Sequence, residues 1–453
     1  MISTPEHSIK STHFISTVFI LVWIIVGACV PLQPTGQGAQ GTDYVAKKVL
    51  RLDDYVYEPN VKTIFFYPVV KDSKDRLDFP IVYIKNFESL RLEFDVMGDK
   101  YQNLNVKLIH CDANWKQSIL NDFEILNEYN EFSVDHYEMS LNVRNPYIHY
   151  FFTIPPVKVT GNYVLAVYHD RNPKDLILTR RFVVYDHQVI VTPDIKFPLD
   201  PSIRFTHQQV DFKINYTSLN IFNPREMINV TVRQNGRWDN AKYNLKPLYI
   251  REDKKMLDYN FFENENVFLG VNEYRIFDTR SIRFRGMNMS NTNFDNEKAE
   301  AFIMPESSRN LKTYVEFPDI NGRFVIQNWE TQMGSVEADY VKTYFTLKSP
   351  PLADGNVYVF GLLSDWRIYP AFKCVYNNEE KAYKAMLLLK QGYYNYAYVV
   401  HRGGNEIDEK HFEGAYSQSQ NVYDIIVYFR PIGARYDHVV GYARQDYFGT
   451  RQQ

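Results

Sequence analysis

The chain has 453 residues, 45% of them hydrophobic and 16% aromatic, with a formal net charge of -3. Near-neutrality leaves no basic footprint for nucleic acid, and the length exceeds the roughly 250–300 residues at which single cores stop growing, so two or three domains are expected. The 35 Tyr and 31 Phe, set among many Val, Ile and Thr, suit a pleated, half-buried surface and point to an all-β chain.

Residues 14–29 form the first apolar stretch. Its unbroken part, 18–26, is far shorter than the ~20 residues a membrane-spanning helix needs, and it ends in small residues, the pattern of a removed export signal. Val26-Gly27-Ala28-Cys29 resembles the lipobox of bacterial lipoproteins, which implies lipid attachment at Cys29 as the first residue of the mature chain. The alternative is an ordinary signal peptide cut after Ala28. Residues 29–43 read as a flexible tether, uncharged over 30–42, with a reach of roughly 20 Å. Within it, Gly36-Gln-Gly38-Ala-Gln-Gly41 has the letters of the dinucleotide fingerprint. It lacks the strand before and the helix after that give those glycines physical meaning, so no nucleotide site is assigned. No acidic cluster follows Cys29, which leaves the periplasmic leaflet of the outer membrane as the default side.

Residues 44–187 alternate apolar and polar with a period of two at 63–67, 90–96, 105–111, 161–168 and 178–185, with turns at Gly98-Asp99, Asn145-Pro146 and Asn172-Pro173. That cadence predicts an antiparallel sandwich. Residues 188–336 repeat it with longer loops. Strands are expected at 210–216 and 228–232, Asn-Gly hairpin turns at 235–236 and 321–322, and a short helix or ordered loop at 293–304. Residues 337–445 give a third sandwich, with strands at 340–347, 357–360, 383–389 and 393–400, closed by 422–429. Residues from 433 onward show no apolar period, and 446–453 are read as a tail. The expected fold is therefore three consecutive antiparallel Ig-like β-sandwiches after a cleaved lipoprotein signal peptide (1–28).

His110-Cys111-Asp112 invites a nucleophile-and-base reading. Adjacent side chains on a strand point to opposite faces, so His110 and Cys111 cannot form a dyad by themselves. Cys111 and Cys374 are expected as two buried free thiols, since a bridge requires Cα atoms within about 7 Å. The 11 His include no His-Glu-x-x-His, and no Gly-x-Ser-x-Gly occurs, so neither a zincin nor a nucleophile elbow is present. No catalytic, metal or cofactor residue is assigned.

The stretch Gly361-Leu-Leu-Ser-Asp365-Trp366, followed by Gly392-Tyr-Tyr-Asn-Tyr396-Ala-Tyr398, resembles the early-set Ig-type sandwich of glycogen- and starch-binding modules, which hold sugar on aromatic platforms with a lysine. Trp366 falls where one platform would be. The lysine position is Ala397, and no tryptophan occurs at 401–405. Over nearly the whole mature chain a second resemblance is carried by His110-Cys111-Asp-Ala-Asn-Trp115, Gly161-Asn-Tyr163, Leu178-Thr-Arg180-Arg181-Phe182 and Gln234-Asn-Gly-Arg-Trp238. It continues through Glu273-Tyr-Arg275-Ile-Phe277-Asp278, Asp319-Ile-Asn-Gly322, Glu337-Ala-Asp339-Tyr340, Leu389-Lys-Gln-Gly392-Tyr393-Tyr394 and Arg435-Tyr436-Asp437. This ordered set resembles the plug protein family of the type IX secretion system.

The resemblance implies a non-enzymatic protein, without cofactor or small-molecule substrate. It would close the periplasmic mouth of the giant outer-membrane β-barrel translocon when no cargo shuttle is bound, with that barrel and the outer-membrane leaflet as its partners. The alternative expectation is a glycan-binding envelope lipoprotein using Trp366. A hydrolase whose groups converge from distant strands is the third.

Overall fold

The computed structural model describes residues 48–69, 76–85, 89–295, 298–404 and 406–449. The expected signal peptide, Cys29 and the tether lie outside the described residues. Residues from 48 onward form one compact unit, nearly all of it β-structure in five sheets.

The first sandwich packs two sheets. One runs Tyr55–Val56, Leu176–Tyr185, Gly161–His169, Leu104–Cys111 and Phe132–Ser133; the other runs Val61–Val69, Ser89–Met97, Tyr147–Thr153 and His136–Met139. The period-two pattern places Leu90, Leu92, Phe94 and Val96 on one face of their strand. They meet Leu108, Leu165, Val167 and Phe182 of the opposite sheet in a single core.

The second sandwich takes Ile190–Lys196, His207–Asn215, Met256–Tyr259 and Tyr249–Arg251 as one sheet. The other is Lys242–Leu245, Ile228–Gln234, Asn421–Phe429 and His438–Tyr447. Segment 422–429, expected to close the third sandwich, instead pairs with Ile228–Gln234 in the register Ile228↔Phe429 to Gln234↔Tyr423. The reason lies in its own residues, which are apolar on both faces. Tyr423, Ile425 and Val427 fill the second core, while Ile426 and Tyr428 pack outward against Val164, Ala166 and Tyr168 of the first sandwich. The stretch from 433, read as lacking an apolar period, contains a strand that reaches into the expected tail. His438–Tyr447 pairs along Asn421–Phe429, with Val439 and Val440 buried.

The third sandwich is one eleven-stranded sheet folded over on itself. Its path runs Arg275–Asp278, Gly392–His401, Asn356–Phe360, Lys373–Asn377, Ala382–Lys390, Tyr340–Lys348, Ala299–Ile303 and Met289–Phe294. Phe277 at one end of the path and Met289 at the other lie in the same core as Phe345 and Tyr396, which is how the sheet closes. Where a helix or loop was expected at 293–304, Met289–Phe294 and Ala299–Ile303 form an antiparallel pair. Asn321 and Gly322 do turn, with φ of 53° and 74°, but the following Phe324–Ile326 pairs with Gly392–Tyr394 and not with the chain before the turn. The sheets therefore cross the expected boundary at 336/337 in both directions, because strands on each side complete the other's sheet.

One consequence is measurable. A chain ending at residue 432 loses the edge strand of the second sandwich and uncovers the Asn421–Phe429 backbone. It is expected to lose cooperative thermal unfolding by circular dichroism, whereas removal of a free tail would leave the melting temperature unchanged.

Candidate functional site: the seam between the sandwiches

Ser89–Met97 has a second face, made of Glu93 and Asp95, and it too is buried. It lies against the third sandwich. Lys390 Nζ, at the end of Ala382–Lys390, donates to Asp95 Oδ2 at 2.7 Å and to the Ser335 carbonyl at 2.7 Å. Lys390 and Asp95 are 1% and 0% exposed. The remaining Asp95 lone pairs accept from Tyr340 Oη at 2.7 Å and face His149 Nδ1 at 2.7 Å, and the ammonium sits 4.0 Å from the Tyr147 ring centroid. Glu93 takes Tyr67 Oη at 2.6 Å and Arg76 at 3.0 Å. Burial acts to raise the Asp95 carboxyl, but the Lys390 ammonium and the His149 ring outweigh it and hold Asp95 below its ordinary value. Burial pushes the Lys390 ammonium the other way, below its usual range.

Beside this network is a cavity of about 380 Å³ lined by seven arginines and five aspartates from all three sandwiches. Its walls are stacked guanidinium and aromatic groups. Arg181 lies 4.3 Å from the Trp115 ring and 5.6 Å from Trp238. Arg233 lies 4.1 Å from Trp238, and Arg237 lies 4.5 Å from Trp366. Such contacts contribute about 0.5–2 kcal/mol each, most when desolvated. Three of the arginines are paired with carboxylates: Arg180 with Asp365 at 2.9 Å, Arg233 with Asp424 at 2.9 Å, and Arg237 with both Asp239 and Glu409 at 2.6 and 2.7 Å. The turn that delivers Arg237 and Trp238 needs Gly236. Its φ is +70°, and a Cβ there would stand 2.3 Å from the Phe79 ring.

The motifs that looked isolated along the chain are partners of one another, across the seam or within one sandwich. Asp437 Oδ2 accepts from the Ala113 N–H at 2.9 Å, Tyr428 Oη donates to Asn162 at 2.9 Å, and Asp339 pairs with Arg144. Arg275 reaches Glu413 at 2.9 Å. Gly161 lies against His110, where any Cβ would stand 2.1 Å from Nε2. The sequence reading passed over Arg180, Arg237, Asp95 and Lys390 as individual residues. The available signal was the adjacency of Arg and Trp inside the motifs, which solvent-facing strand positions do not require.

Cys111 and Cys374 are buried and unpaired with each other, as expected. Cys111 is pushed up to about 12 by burial, so it is a thiol, and His110 is lowered to about 4 by burial. His110 contacts Ser118 Oγ at 2.9 Å and the Thr160 carbonyl at 3.2 Å, so the two do not act as a dyad. Trp366 is half-buried, with one face under Arg237 and its edge against Tyr274 and Phe360, so it is not an open sugar platform. Glu58, His169 and Asp175 cluster closely enough to hold a metal ion, but Lys48 Nζ lies 2.6 Å from both Glu58 and Asp175 and supplies the cation there.

Two neighbouring carboxyls are held up by burial, Asp319 at about 6 and Glu273 higher still. Glu273 is pushed up to about 7 by burial first and by the Asp319 carboxylate second. Its Oε1 accepts from the Gln420 N–H at 3.0 Å, while Oε2 has no partner.

A layered all-β body held together by buried ion pairs is what the geometry defines, and the comparisons narrow it. The first domain of type 9 secretion system plug proteins matches residues 61–186, which are most of the first sandwich. A crystal structure of a hypothetical protein from Parabacteroides merdae is 31% identical, covering 88% of this chain and 100% of that one, with a TM-score of 0.82. No curated protein matches. The chain belongs to the type IX secretion system plug family, and membership connects it with type IX secretion and, through that, with the cell envelope. Among the described residues no helix is long and apolar enough to cross a membrane.

Two outcomes follow from the seam. Lys390→Met leaves Asp95 buried without its cation and is expected to cost about 3–5 kcal/mol in urea unfolding, part of which Asp95→Asn added to it recovers. Glu273 has a folded value near 7 against about 4.3 unfolded. The stability its neutral form confers is present in full below the unfolded value and lost as pH rises through 7. Melting temperature is therefore expected to fall between pH 5 and pH 8, and Glu273→Gln to flatten that slope.

Proposed function

We propose that this chain is a non-enzymatic outer-membrane lipoprotein that occupies the periplasmic opening of the type IX translocon barrel when no cargo shuttle is bound. The observation that carries the reading is the seam. Strands cross between the second and third sandwiches, and packed faces and buried charge pairs fix the first to both, so the body resists deformation, and several of the family's motifs are spent on that joining. A plug acts by bulk, rigidity and a reversible surface, and needs no chemistry.

Lipid on Cys29 would hold the body at the leaflet. A single acyl chain binds only marginally, whereas several make a stable anchor. Confinement raises the local concentration at the pore by the same arithmetic that governs linked binding sites. A contact of modest intrinsic affinity then keeps the opening closed and still yields to a competing shuttle.

The reading is tested in the native host. The full chain, tagged and extracted from membranes in detergent, is expected to carry a very large β-barrel with it, and a strain lacking the gene to leak small molecules across the outer membrane. Normal permeability in that strain, together with no barrel in the pulldown, contradicts it.

A further inference from the structure

A group of exposed apolar side chains surrounds the 281–287 loop of the third sandwich. Phe284, Met287, Met304, Trp329, Met333 and Leu141 are each between 44% and 73% exposed, Phe284 the most of them. They come from four segments that are tied to one another. The Trp329 N–H donates to the Arg280 carbonyl at 2.9 Å, Leu141 to Val336 at 2.9 Å, Met304 to Asn288 at 2.8 Å, and Asp278 to Met287 at 3.2 Å. Arg280 stacks 4.3 Å from the Trp329 ring. Single exposed apolar side chains are ordinary, but a contiguous group is an interaction surface. This one is made of Trp, Phe, Met and Arg, the types enriched where proteins meet.

The loop that carries Phe284 is fixed at its base. Ser281 Oγ accepts from the Arg283 and Phe284 N–H groups at 3.1 and 3.0 Å and donates to Glu330 at 2.6 Å. Gly286 packs so closely that a Cβ there would stand 2.1 Å from the Asp278 carbonyl. An aromatic side chain is thus presented to solvent on an ordered turn, which lowers the ordering cost of binding. On either side of it Arg283 and Arg285 are exposed. Arg285 reaches only the Ser290 carbonyl, at 3.3 Å, and neither guanidinium forms an ion pair among the described residues, whereas Arg280 next to them is paired with Asp278. Two free cations flanking an apolar tip call for carboxylates around an apolar recess.

We infer that the 281–287 loop with the Trp329–Met333 turn is the surface through which this chain docks on its partner, a protein face with an apolar recess rimmed by Asp or Glu. The inference rests on the plug reading, for which it names the contact with the translocon. Phe284 enters the recess, the Met side chains adapt to its walls, and the two guanidinium groups meet the rim.

The test uses the tagged full chain in its native host, extracted from membranes and probed for the barrel. Arg283→Glu with Arg285→Glu is expected to lower barrel recovery at least tenfold, and Phe284→Ser to do the same. Lys213→Glu, an exposed reversal on the second sandwich, is expected to leave recovery unchanged. Melting temperatures of all three variants should equal that of the unaltered chain, since the residues are exposed. Full recovery of the barrel by folded loop variants overturns the surface and leaves the plug reading standing. Absence of the barrel from the unaltered chain overturns both.

Discussion

The buried pair of Lys390 and Asp95 sets the terms for the rest of the structure. Two charges from different sandwiches, 2.7 Å apart and almost wholly removed from water, are tolerable only if every remaining lone pair and proton is met. His149, Tyr340 and the Ser335 carbonyl meet them. The first and third sandwiches are thereby fixed in one relative position, because a shift of either strand would strand a charge. A greasy interface of the same area would slide more readily, since apolar packing has no direction.

The same logic extends along the seam. Arginine is suited to it because a planar guanidinium pairs with a carboxylate at its edge while its faces lie on aromatic rings. Arg233 and Arg237 use Trp238 and Trp366 in this way, while Arg181, over Trp115, donates to the Leu52 carbonyl. Strand exchange completes the joining. Asn421–Phe429 belongs by sequence position to the last third of the chain, but it fills the core of the second sandwich with one face and covers the first sandwich with the other. The result is a body whose parts do not separate without breaking a core.

Much of the strand content was legible in the sequence, because alternation with a period of two needs only one buried face to leave its mark. Partner choice was not. In residues 90–96 the apolar half of the alternation is core, as read. The acidic half, Glu93 and Asp95, reads as a solvent face, because nothing local distinguishes a carboxylate that meets water from one that meets Lys390 some three hundred residues later. Residues 422–429 carried a usable signal. Apolar on both faces, the strand required a layer on each side, and that is inconsistent with closing the edge of a sandwich. His438–Tyr447 escaped because its outer residues are polar and Gly441 interrupts the pattern. The ordered motifs identified the family although no single residue in them could be given a role, since their roles are reciprocal contacts between distant segments. Trp366 was singled out as a platform, and its actual neighbour, Arg237, comes from a turn more than a hundred residues earlier.

The central claim is that this body works by filling an opening. The most direct measurement is the conductance of the purified translocon barrel in a planar bilayer, recorded before and after the chain is added to the periplasmic side. The account predicts stepwise closure that reverses when the chain is withdrawn. An open-state conductance unchanged at saturating protein would contradict it.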